Sequence, residues 1–266
     1  MESFGWIWLV IIFLSLLPTL QQRLRYVMRV RLIQAIEKEQ KSRVITIVHR
    51  QEAFSFLGIP FMKFLNLEDS EEVLRALELT DSGKQIDLIL HTPGGLVIAA
   101  LQIARAMQNR KGKVRVIVPH YAMSGGTLLA LAADEIIMSP NAVLGPVDPQ
   151  IDKYPAPSIL RILDLKDKNE IDDETIIKAD MAKKAIQQLR DALQEILSHN
   201  YDPEFSKALA DKLTSGKWTH DFPITVAFAT ELGLNVNTEV PKGVFELMRL
   251  YKQPIRRQRT VDYAPN

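Results

Sequence analysis

The 266-residue chain is 47% hydrophobic and 24% charged, long enough and apolar enough for one large folded domain. Its net charge of +1 gives no global sign of a nucleic-acid or acidic-substrate binder. It has no cysteine, which excludes disulfides, thiolate metal sites and cysteine nucleophiles.

Residues 6–20, WIWLVIIFLSLLPTL, carry no charge. The run is short beside the roughly 20 apolar residues that span a bilayer. Trp6 and Trp8 nevertheless suit a membrane interface, and the charges are asymmetric: Glu2 precedes the run, whereas Arg23, Arg25, Arg29 and Arg31 follow it. A secretory signal would begin with its positive charges and end in a small-residue cleavage site. Neither is present, so residues 1–22 read as a single uncleaved membrane anchor. The positive-inside rule then keeps the following domain in the cytoplasm. The competing reading is a buried or interfacial helix.

Residues 23–42 follow as a basic juxtamembrane helix, and 43–252 as the folded domain. RVITIVH (43–49) is a short β-branched strand. Residues 50–66 read as irregular. Asp69 or Ser70 is expected to cap a helix over EEVLRALEL. QIDLILH (85–91) is a second strand, broken by HTPGG (91–95). Apolar residues three and four apart predict a helix over 96–110. KVRVIVP (113–119) is a third strand, broken by HYAMSGG, after which TLLALAA (127–133) is helical. EIIM (135–138) is a further short strand. Alternating strands and helices with short links predict a parallel sheet with crossover helices. Residues 150–175 change character: IDKYPAPS is proline-rich, and LDLKDKNEIDDE (163–174) is charged and reads as a mobile loop. Helices are expected at about 174–198 and 202–213, a loop at WTHDFPIT and a last core helix at VAFATELGL. Residues 253–266 read as a flexible tail.

Ligands of open parallel sheets bind where strands end and helices begin. HTPGG and YAMSGG (121–126) both sit at such ends. Gly95 and Gly125 lack a Cβ, so their N–H groups can approach a substrate oxygen closely. One donor from each loop makes a two-point oxyanion hole, and such a donor is worth roughly 3 kcal/mol in a transition state. Ser124, at a helix start, is then a candidate nucleophile for acyl transfer. A tight turn needs small residues for purely steric reasons, and a phosphate also suits such a helix start. Neither GxxxxGK[ST] nor GxGxxG occurs, and the five histidines show no HxxxH or HExxH spacing, so no metal or cofactor is expected. His91 and His120 border the glycine turns, His49 ends a strand, and His199 suits a helix C-terminus; for each, a structural role is the default. Trp218 either walls a pocket or packs in the core.

Residues 85–151, with HTPGGLVIAALQIARAM, AMSGGTLLALAADEI and SPNAVLGPVDPQ, resemble the core of the Clp-type and signal-peptide-peptidase-type serine proteases. The whole chain is similar to a membrane-anchored branch, the SDH family of Clp-fold serine proteinases. IVHRQE (47–52), HTPGG, LGPVDPQ (144–150) and GKWTHDFPIT (216–225) carry this likeness. The resemblance implies a Clp/crotonase-like α/β fold over 43–252 and a serine endopeptidase that acts on polypeptides, needs no cofactor and self-assembles. Clp-type proteases place serine, histidine and aspartate in that chain order. NAVLGPVDPQ has no histidine and offers Asp148, while WTHDFPIT offers His220 and Asp221. The SDH likeness implies the reordered set Ser124, Asp148 and His220, with His220 as base and Asp148 as its orienting group. A Ser–Lys dyad is the alternative, with Lys153, Lys166, Lys168 and Lys178 in range. An acyl-CoA enzyme of the crotonase type and a non-catalytic membrane scaffold are the rival functions.

Overall fold

The computed structural model describes residues 5–49, 54–56, 59–61 and 63–251, without the side chains of 5–15, 18, 54–56, 59–61 and 168. Helix α1 (Gly5–Gln40) leads into strand β1 (Arg43–Val48). The short strands β2 (Phe54–Phe56) and β3 (Ile59–Phe61) pair as an antiparallel hairpin, in a stretch expected to be irregular. Helix α2 (Leu67–Glu78) starts three residues earlier than the sequence suggested. Its cap is Asn66, which accepts from the Asp69 N–H while the Asp69 carboxylate accepts from the Asn66 N–H. Asp69 is therefore the third helical residue of a capping box, not the cap itself.

Then come β4 (Ile86–His91), α3 (Val97–Gln108), β5 (Val114–Val118), β6 (Tyr121–Ala122), α4 (Gly125–Leu131), β7 (Glu135–Met138) and β8 (Val143–Leu144). The proline-rich stretch, given no element in the sequence, holds a hairpin, β9 (Gln150–Ile151) with β10 (Tyr154–Pro155), and most of helix α5 (Ala156–Leu165), which runs into the stretch expected to be a mobile loop. The alternation in α5 explains the difference. Ala156 and Ile159 are buried in a small cluster with Ala179, Ala182 and Ile186 of α6 (Asp173–Leu197). Proline sits in the first turn of α5, where it has no hydrogen bond to lose. Helix α7 (Pro203–Thr214), β11 (Ile224–Thr225), α8 (Val226–Glu231), β12 (Val236–Asn237) and α9 (Val244–Arg249) complete the order. The last strand and helix were not legible in the sequence. The predicted tail lies outside the described residues.

The five-stranded sheet has the order β1-β4-β5-β7-β12, and every neighbouring pair is parallel. Both faces are covered. Ile45, Ile47, Leu88, Leu90, Val116 and Met138 face the large core with α3, α4, α6 and α7. Val44, Ile89, Ile117 and Ile137 face the other way, against Ile36 of α1 and Val244, Leu247 and Met248 of α9. This two-sided burial is why β4 reads as a continuous run rather than an alternating one. One charge breaks the run. Asp87 is fully buried and accepts two bonds from Arg115 at 2.7 Å each, with Ser42 Oγ donating at 2.6 Å. Arg115 also donates to Gln40, so the network ties the end of α1 to the sheet.

Among the described residues no helix is long and apolar enough to cross a membrane. The side chains of most of the apolar run lie outside the described residues, and those of Leu16, Leu20 and Leu24 on α1 are more than half exposed.

Asp87→Ala leaves the Arg115 guanidinium without its partner beneath the sheet. It should lower the unfolding free energy by about 3–5 kcal/mol, read from the urea midpoint. Adding Arg115→Met should recover part of that loss.

Candidate active site

Three two-residue strands assemble the site. β6 runs parallel to β8, and β8 runs antiparallel to β11. An isolated bridge joins Thr92 to Ala122 at the open edge of β6. Four segments distant in sequence are thus set side by side: the HTPGG turn, the Ser124 turn, the loop bearing Asp148 and the loop bearing His220. Thr127 adds a clasp. Its Oγ1 lies 2.9 Å from Ala122 O and 2.8 Å from Gly145 O, and it accepts from the Gly145 N–H at 3.0 Å.

Ser124 has φ +50° and ψ −114°. With the Gly126 N–H donating to Met123 O at 2.7 Å, residues 123–126 form a turn whose first central residue has positive φ, the type II′ geometry. Glycine normally occupies that position. A serine there stores roughly 1–3 kcal/mol of backbone strain, and the side chain is thrust out at the start of α4.

The HTPGG turn is clamped opposite. The Leu65 N–H donates to Gly94 O at 2.7 Å, and the Leu96 N–H donates to Leu65 O at 2.8 Å. The C=O of Gly94 and the N–H of Gly95 share one planar peptide and point in opposite directions. Since the carbonyl is committed to Leu65, the Gly95 N–H is turned away from Leu65 N. A Cβ on Gly95 would lie 2.2 Å from Leu65 O, and the backbone φ there is +154°. A Cβ on Gly125 would lie 3.7 Å from the Gly95 nitrogen, so the two amides are close neighbours. Among the described residues, no protein acceptor takes either N–H.

A cleft of about 400 Å³ is lined by Gly95, Ser124, Gly125, Asp148 and His220. All five residues singled out in the sequence therefore meet at one opening. Leu96, Val97, Leu128 and Leu189 supply an apolar wall. His220 Nδ1 lies 2.7 Å from Asp148 Oδ1. Asp148 is buried to 2% exposure, whereas His220 is about a third exposed. Gln150, which the sequence reading gave no role, donates from Nε2 to Asp148 Oδ2 at 2.7 Å. Both carboxylate oxygens are thus occupied. The hydrogen bond to Asp148 raises the His220 pKa above the ordinary 6.5; partial burial opposes this, and the charges of Asp148 and Asp221 add to it. The bond at Nδ1 leaves Nε2 as the nitrogen free to face a hydroxyl. Among the described residues no hydrogen bond joins Ser124 to His220, although both line the cleft.

Lys153, Lys166 and Lys178 do not line the cleft. Lys153 and Lys166 are exposed, and the Lys168 side chain lies outside the described residues. Lys178 pairs with Glu174 at 2.6 Å and Asp152 at 3.1 Å. These partners raise its pKa, Glu174 most, the opposite of what a lysine base requires. Trp218 stacks on Phe222 at 5.5 Å and meets Phe228 edge-on, so it anchors the His220 loop as core. His91 is buried against the Tyr121 ring. His199 follows the end of α6 and lies 3.7 Å from Asp134.

The His220 titration can be read directly by NMR. Its pKa should lie above 6.5 and fall in Asp148→Asn. A folded-state pKa raised in this way adds stability that is fully present below the unfolded value and is lost as pH rises through the folded one. The wild type should therefore lose more stability than Asp148→Asn across that window.

A family model described as ClpP-like SDH-type serine proteinase matches residues 1–266. Two uncharacterised proteins of Methanocaldococcus jannaschii are similar to the chain. One is 52% identical over 97% of this chain and 90% of its own length, the other 51% identical over 100% and 90%. A probable protease SohB of Haemophilus influenzae is 39% identical over 29% of this chain and 23% of its own length.

Proposed function

The chain belongs to the family of ClpP-like SDH-type serine proteinases, and on that premise we propose that Ser124, His220 and Asp148 are its catalytic triad. Membership makes the protein a serine peptidase acting on polypeptides and replaces the crotonase-type and scaffold readings. One observation carries the residue assignment: the 2.7 Å contact between Asp148 and His220 at the cleft that also holds Ser124.

In this mechanism Ser124 Oγ attacks the scissile carbonyl carbon while His220 Nε2 takes the hydroxyl proton. Asp148 accepts the Nδ1–H, holding the tautomer and stabilising the imidazolium. The developing oxyanion accepts from the Gly95 and Gly125 N–H groups. Collapse of the tetrahedral adduct expels the amine, which receives its proton from His220. Water, deprotonated by His220, then hydrolyses the acyl-enzyme. The raised pKa suits a stronger base, at the expense of requiring a pH high enough to keep the imidazole neutral. The hydroxyl–imidazole bond absent from the free cleft forms when substrate orders the site.

The uncharged run 6–20 with arginines on its C-terminal side supports an N-terminal anchor with the peptidase domain in the cytoplasm. The exposed Leu16, Leu20 and Leu24 of α1 agree with an apolar environment for that helix. Exposed Ile176, Ile177 and Met181 on α6 favour contact with further copies of the chain.

Labelling with a fluorophosphonate probe tests the chemistry. Wild type should label, Ser124→Ala should not, and His220→Ala should label about 10²–10⁴-fold more slowly. Undiminished labelling of His220→Ala would move the base to another residue. For the anchor, full-length protein should float with liposomes and a chain lacking residues 1–22 should not; equal flotation would remove the anchor.

A further inference from the structure

A second histidine–carboxylate pair stands behind the HTPGG turn, outside the Ser124 cleft. His49 follows β1 and is 6% exposed; Thr92 is fully buried. His49 Nδ1 lies 2.8 Å from Thr92 Oγ1. His49 Nε2 faces Asp69 Oδ2 at 3.3 Å. Thr92 Oγ1 in turn accepts from the Gly94 N–H at 3.2 Å. The His49 backbone is fixed as well, its N–H donating to His91 O at 2.8 Å.

We propose that His49, Asp69 and Thr92 are positioning residues that lock the Pro93–Gly94 peptide and so aim the Gly95 N–H at the reacting carbonyl. The assignment rests on the oxyanion role given to Gly95 above. Proton directions follow from the donor inventory. Asp69 is an acceptor: burial pushes its carboxyl up, but bonds from His49 and the Asn66 N–H outweigh this and hold it below the usual range. The carboxylate draws a ring proton onto Nε2, and a ring carrying that one proton has Nδ1 as an acceptor. Thr92 then donates its single hydroxyl proton to Nδ1 at 2.8 Å, the shorter of its two contacts with an acceptor, Gly94 O lying at 3.3 Å. Its oxygen is left with lone pairs for the Gly94 N–H. One chain of four groups thus runs in a single direction, from the Gly94 amide to the Asp69 carboxylate.

Gly94 requires this restraint. It has φ +104°, and a Cβ there would lie 2.8 Å from both Met123 O and Ser124 Cβ. Only glycine fits, and glycine is the residue least able to hold a conformation unaided. Leu65 fixes the peptide after Gly94, through its carbonyl. Thr92 fixes the peptide before it, through its N–H. With both planes held, the torsions of Gly94 are determined. The capping box at Asn66 and Asp69 places the carboxylate on the first turn of α2, so one helix start both caps itself and orients His49. Leu65, one residue before the cap, supplies the other clamp.

The test uses full-length protein and the fluorophosphonate probe, separating the maximal labelling rate from the probe concentration at half-saturation. Thr92→Val and His49→Leu should lower the maximal rate about tenfold, as expected for a small misplacement of a transition-state donor, with half-saturation within about twofold. Thr92→Ser, which keeps the hydroxyl, should retain the wild-type rate. Unchanged rates in Thr92→Val and His49→Leu, or equal losses in Thr92→Ser and Thr92→Val, would overturn the proposal. Hydrogen exchange over residues 91–96 gives a readout independent of chemistry. Exchange should quicken in Thr92→Val and His49→Leu but not in Thr92→Ser, and no difference would again overturn it. If wild type exchanges as expected but never labels, the nucleophile assignment fails while the network stands.

Discussion

The pairing of β6 with β8, and of β8 with β11, is the constraint on which the cleft depends. Each strand is two residues long, and an isolated pair of that size has too few hydrogen bonds to persist in water. These persist because their side chains are core. Ala122, Leu144 and Ile224 are all buried to 1% or less. The large sheet delivers β6 at the end of β5 and β8 shortly after β7. The small sheet then converts those ends into a fixed spacing between a serine, an aspartate and a histidine from three distant parts of the chain. Thr127 bonds to both the Ser124 turn and the Gly145 loop, which makes the spacing rigid where hydrogen-bond geometry must be kept to fractions of an ångström.

Strain and restraint are distributed around this small sheet. Ser124 occupies a turn position that favours glycine, and Gly94 and Gly95 have backbone conformations that no side chain would fit. Such conformations survive only when their surroundings over-determine them. Here the surroundings can be named: the Leu65 bridge, the Thr92 hydroxyl and the Gly126-to-Met123 turn bond. Conformational energy absorbed in the core is held at the place where two amides and one hydroxyl must point into the same opening.

The reordered arrangement also has a plain electrostatic logic. The carboxylate takes the deep position, with both oxygens engaged by His220 and Gln150. The imidazole takes the outer position, partly open to solvent. Burying a carboxyl group demands partners, and it has them. The histidine at the rim, about a third exposed, can exchange protons with water.

The sequence by itself determined the strand–helix alternation, because β-branched runs and helical spacing are local signals. It also marked the glycine turns, since only glycine fits them, and so pointed to Ser124, Gly95 and Gly125. It gave no element to residues 150–162 because the apolar face of α5 is short and becomes legible only against Ala179 and Ala182 of α6. It missed β12, whose two residues are strand only by pairing with β7, and it placed the α2 cap at Asp69, one turn late, because Asn66 and Asp69 cap each other. The pairing of Asp148 with His220 was implied by family likeness and not by any local pattern, while its geometry, the part played by Gln150 and the chain from Asp69 through His49 to Thr92 were decided by tertiary structure alone. Each is a contact between side chains brought together by strand pairing, and no local periodicity encodes a distance between residues that far apart in the chain.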